Sequence, residues 1–243
     1  VASLPEPLPN PGRGPVTAGT IAQATIAAVR PDFGIFFAIA APFTLFIDMI
    51  LSLYGPEPPR NAAELTPRVL LLLVVLPGII GAIAQMAVAY LVARPDQPPR
   101  HALAAALAAM PVYIGALLLA SLPTGLGLLL LIVPGIYVSA RLFVIVPIAV
   151  VERLGPIANL RRSWAMTQPV AWTILWFIVL AVLFVLGLSV LASGVGAAVG
   201  SLLKLMGVPG AARFVVALVP ALASTLVSIA SAAAATTLYL RLR

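Results

Sequence analysis

Stretches of Leu, Val, Ile and Ala follow one another along this chain with scarcely a charge, while Pro, Gly and the charged residues gather in short segments between them. The apolar stretches are continuous rather than alternating, so they read as helices and not as barrel strands. A hydrocarbon core of about 30 Å takes about 20 helical residues to cross. Six stretches reach that length, at about 33–54, 68–93, 102–122, 126–151, 170–192 and 212–240. The pattern predicts an all-α, polytopic helical membrane protein, with residues 16–243 forming a single six-helix domain of Pro-kinked spans and short interfacial helices. Residues 1–15 lack the basic and apolar regions of a cleavable signal, and their prolines predict a disordered tail.

The segments between the spans are read from their breakers. A helix over 17–30 stops at Pro31-Asp32, and the prolines and charges of GPEPPRNAAELTP belong in water. SLPTGLG is expected to turn the chain between the third and fourth spans, and a glycine-rich loop carrying Lys204 to join the last two. GPIANLRRSWAMTQ reads as a helix lying along the membrane. Pro156 opens it, Ile157, Leu160 and Trp164 form an apolar stripe, and Arg161 and Arg162 face phosphates. LLVVLPGII also echoes LLLIVPGIY at an offset of 57 residues, which sets Pro77-Gly78 on Pro134-Gly135 and Pro99 on Pro156.

Composition sharpens the picture. Apolar residues make up 62% of the 243 positions and charged ones 9%, and the mean hydropathy is +1.14. The net charge of +7 does not imply nucleic acid, because Lys and Arg are thinly spread and their placement follows topology. With six spans, nine Lys and Arg fall on the side of the termini and four on the other, so both termini are expected in the cytoplasm. The chain has no cysteine, which removes disulfides and thiolate chemistry, and its one histidine, His101, cannot build a metal site alone. No HExxH, GxSxG or phosphate-binding glycine loop is present, so neither a cofactor nor an enzyme is expected.

The candidate polar contacts are few. Arg141 lies inside the fourth span, where a charge normally faces protein or a watery cavity. At about 1.5 Å per residue it sits about 22 Å from the outer end of its span, level with Gln85, the first-choice partner. Asp48 lies only about 7 Å from the outer end of the first span by the same rise, too far off level for a direct pair. Pro147 frees the carbonyl of Phe143 as a second acceptor. Arg161, Arg162, Trp164 and Tyr137 complete the set of candidate lipid contacts. Gly196 and Gly200 form a GxxxG face suited to close helix packing, within the chain or in a homo-oligomer.

The segment PGIYVSARLFVIVPIAVVERLGPIANLRRSW resembles the membrane domain attached to some glycerophosphoryl diester phosphodiesterases, and the stand-alone YciC-type inner-membrane proteins. The resemblance rests on Pro134, Gly135, Ile136, Tyr137, Arg141, Pro147, Glu152, Gly155, Pro156, Arg161, Arg162, Ser163 and Trp164, and on the ending Thr237, Leu238, Tyr239 and Arg241. It implies a bacterial inner-membrane protein. No phosphodiesterase activity follows, since these residues include no His-Arg-Gly metal motif and His101 is followed by Ala102. The reading taken from resemblance and topology is a non-enzymatic protein of envelope or lipid organisation with membrane lipids as partners. The alternatives are a transport component and an accessory subunit of a larger membrane complex.

Overall fold

The computed structural model describes residues 16–57, 59, 61, 64–130 and 132–243, so the Pro-rich tail lies outside the described residues. Among the described residues ten helices follow one another. Thr17 caps α1 (Ala18–Val29) through a reciprocal box, its hydroxyl accepting from the Thr20 amide at 3.2 Å while its own amide donates to Thr20 Oγ1 at 2.9 Å. The first apolar stretch is a broken pair, α2 (Phe33–Ala40) and α3 (Leu45–Tyr54), bent by 41°. Pro42 stands in the break, where it lacks an amide hydrogen and its ring crowds the preceding turn. Next, α4 runs over Pro67–Ala93, with one wide π-turn at Leu71–Val75. That turn lies just before Pro77, whose missing donor leaves the Leu73 carbonyl without its regular partner.

Two predicted loops are helical instead. α5 (Pro99–Leu130) continues straight through SLPTGLG, and the chain reverses beyond it into α6 (Ile132–Arg141) and α7 (Ile145–Val151). In hydrocarbon an interrupted helix exposes unsatisfied backbone groups, so Pro123 and the glycines are carried within the helix rather than ending it. Gly127 has a packing use. A Cβ there would stand 2.9 Å from the Gly135 Cα, so α5 and α6 meet backbone to backbone.

The fifth span is likewise longer than its pattern predicts. α8 (Pro156–Thr167) passes through a short 3-10 turn into α9 (Ala171–Leu205), which absorbs the glycine-rich segment assigned to a loop. The reversal into α10 (Pro209–Leu242) takes only Met206–Val208. Gly207, at φ +79°, closes a Schellman motif in which the Val208 amide donates to the Leu203 carbonyl and the Gly207 amide to the Lys204 carbonyl. Gly196 and Gly200 are buried against Val216 and Ala212 of α10, so this small-residue face is used within the chain.

Among the described residues five helical segments are long and apolar enough to cross a membrane, and the bent α2–α3 pair makes a sixth when counted as one span. Their outward faces are apolar, as at Leu183, Phe184, Val190 and Leu191 of α9, which suits contact with lipid tails. One core joins α2, α4, the first half of α5, α7 and α10, with alanines at most of the helix contacts. A second gathers α6, α7, α9, the end of α10 and Ile21 of α1. The first and last helices therefore share a core, with Ile21 among Leu238 and Tyr239.

Candidate functional site at the broken sixth helix

Arg141 ends α6 at a break. The Ile145 amide, which would bond the Arg141 carbonyl in a regular helix, donates to Leu142 O at 3.2 Å instead. That carbonyl is left without a backbone donor, and a buried orphan of this kind needs another partner. α8 supplies Ser163 Oγ, which donates to Arg141 O at 2.9 Å, and Thr167 Oγ1, whose single hydrogen is shared between Arg141 O at 2.9 Å and the Ser163 carbonyl at 2.8 Å. Asn159 Nδ2 reaches the Ile145 carbonyl on the far side of the break at 3.4 Å. Asn159, Ser163 and Thr167 recur every fourth residue and are completely buried, so they form one polar stripe turned into the protein. Each such bond is worth about 0.5–1.5 kcal/mol net, and together they fix α8 across the break. Pro156, at the start of α8, sits in a notch at Gly115 of α5, where an added Cβ would come within 2.9 Å of its ring.

The Arg141 side chain is 3% exposed, and its Nε and Nη1 have no hydrogen-bond partner among the described residues. Its neighbours are aromatic. The guanidinium carbon lies 4.5 Å from the Trp164 ring centroid and 5.9 Å from that of Tyr137. Tyr137 in turn rests on Trp172, with ring centroids 5.7 Å apart. Trp164, Trp172 and Trp176, the chain's three tryptophans, are all partly exposed on this region, Trp176 following Trp172 by one turn of α9. Indole rings collect at the level of lipid headgroups. A desolvated cation–π contact contributes about 0.5–2 kcal/mol. An unpaired buried charge costs several times that, so the rings alone leave Arg141 short of compensation.

The predicted partners of Arg141 lie elsewhere. Gln85 is half-buried on α4, which packs on α2, α5, α7 and α10 rather than on α6, and it does not complete the guanidinium. The Phe143 carbonyl does not take Nε or Nη1 either. Asp48 is hydrogen-bonded to Ser224 at the crossing of α3 and α10, beside the Thr44–Thr225 hydroxyl pair at 2.9 Å. Arg161 is exposed on α8, and the predicted stripe of Ile157 and Trp164 is partly exposed there. Arg162, also exposed, is paired through its Nε with Glu152 Oε2 at 3.3 Å. Glu152 Oε1 also accepts from the hydroxyl of the fully buried Tyr239 at 2.9 Å. His101 is exposed beside Gln97 at 3.1 Å.

The inward stripe and the Glu152–Tyr239 contact escape a reading for hydrophobic pattern. The four-residue spacing of Asn159, Ser163 and Thr167 is the signal for the stripe, whereas nothing local marks the contact, which joins residues 87 apart. No family model, characterised protein or solved structure matches this chain. Among the described residues no three His, Cys, Asp or Glu side chains group to hold a metal. Fold and site together define a polytopic helical membrane protein that, among the described residues, carries a buried cation behind an aromatic face and shows no evident catalytic constellation.

Proposed function

We propose that this chain is a non-enzymatic protein of the bacterial inner membrane, both termini cytoplasmic, that contacts anionic lipid headgroups through Arg141 and the basic helix α8. One observation carries the reading. Arg141 is a buried guanidinium with two unpartnered nitrogens at a tryptophan-rich face, the place where a headgroup oxyanion could supply what the protein does not. Arg161, exposed on the same helix as Trp164, adds a second positive charge beside it. The excess of Lys and Arg on the terminal side supports the orientation.

Native mass spectrometry of the protein in mild neutral detergent tests this. The wild type is expected to retain anionic phospholipid selectively, and Arg141→Ala to lose it while remaining folded. Unchanged lipid in a folded Arg141→Ala protein would leave Arg141 a structural clamp.

A further inference from the structure

We infer that Trp164 is a gate over the Arg141 site, and that the ligand it admits is a phosphate-type oxyanion. This rests on the reading of Arg141 as an anion contact and adds how the contact is reached. Arg141 Nε and Nη1 are sealed within the protein, so no ligand meets them with the rings in place. Of the two rings facing the guanidinium, Tyr137 is half-buried and braced by Trp172. Trp164 is closer, at 4.5 Å, and is 42% exposed. It is therefore the shortest cover between the cation and the outside.

The backbone beneath this cover is held. Ser163, directly before Trp164, and Thr167, three residues after it, are both bonded to the Arg141 carbonyl. α8 can therefore stay in place while the indole turns about its own side-chain bonds, a motion that partly exposed side chains make on picosecond to nanosecond timescales. Turning it outward unseals the guanidinium without breaking the bonds that cap the helix break.

The chemistry of the opening selects the ligand. Arg161 precedes Trp164 by three residues, so the two are neighbours on the α8 surface. An anion entering past Trp164 passes the side of α8 that carries Arg161 on its way to Arg141. A phosphate group has oxygens enough to accept charge-assisted bonds from Arg141 while facing that second positive charge. The neighbouring Arg162 is held toward Glu152 through its Nε. Phospholipid headgroups and free phosphate share this chemistry, and the choice between them is experimental.

The test uses Trp164 as its own reporter. Trp172→Phe with Trp176→Phe leaves it the only tryptophan in the chain while keeping a ring against Tyr137. In neutral-detergent micelles, short-chain phosphatidylglycerol and, separately, inorganic phosphate are titrated while emission and acrylamide quenching are followed. The expected result is a saturable red shift with stronger quenching. A response to the lipid alone identifies a headgroup, and a response to both identifies phosphate itself, each supporting the gate. Arg141→Gln should abolish the response. Arg141→Lys, which keeps the charge if the neutral variant unfolds, should weaken it. The gate is overturned if Trp164 emission stays still while Arg141-dependent lipid retention persists, an outcome that leaves the headgroup reading standing. Loss of both the shift and the retention removes the two together.

Discussion

Around a single carbonyl oxygen, the local order of α6–α8 is decided. Arg141 O accepts two side-chain hydroxyls because its regular backbone donor has gone to Leu142. Either hydroxyl alone satisfies much of the need, so Ser163→Ala and Thr167→Ala should each cost less than about 1 kcal/mol, the lower end for a hydrogen bond. The double variant leaves the buried carbonyl bare and should cost about 1–3 kcal/mol, more than the sum of the singles. Thermal unfolding of the three variants in one detergent checks this, and strict additivity would show that the hydroxyls do not share one acceptor. Arg141 itself was legible in the sequence as a charge out of place, but its surroundings were not. On ideal helices Gln85 shares the level of Arg141, but level says nothing about which helices are neighbours.

At the scale of helices, two segments that the pattern of apolar residues assigns to loops, SLPTGLG and the glycine-rich stretch before Lys204, are helical. Both errors arose from reading Pro and Gly as turns, a rule set by chains that can hand their free backbone groups to water. In α5 and α9 the same residues sit inside helices, because hydrocarbon offers those groups no substitute partner. The glycines divide by what they touch. Gly127 faces the backbone of Gly135 at a separation that leaves no room for a methyl group, whereas nothing stands within 4 Å of a Cβ at Gly194. Gly127→Ala is therefore expected to force α5 from α6 and cost about 1–3 kcal/mol, as overpacking does. Gly194→Ala should be neutral or slightly stabilising, since alanine favours a helix. Comparison of their melting temperatures tests the contrast, and equal losses would show that the two helices do not approach as closely as described.

Across the whole molecule, five described helical segments, or six with the bent α2–α3 pair, suit a membrane crossing, and α1 shares a core with the end of α10; six crossings would set the two ends of the described chain on one side. The absence of cysteine makes this simple to check, because any single introduced thiol is unique. Cysteine at Arg153, in the turn before α8, should react with a membrane-impermeant maleimide only after inverted vesicles are made, and cysteine at Gly207 only in intact cells stripped of their outer membrane. Labelling of both from the same face would break the six-crossing topology. The all-α class with its long apolar helices was open to a reading of hydropathy because lipid imposes apolar length span by span. The contact of Glu152 with Tyr239, and the core that Ile21 shares with Leu238, are settled only by how the spans assemble. Because synthesis is vectorial, α1 is made long before the helix it packs on, so the burial of Ile21 in this core is completed only after α10 has been synthesised.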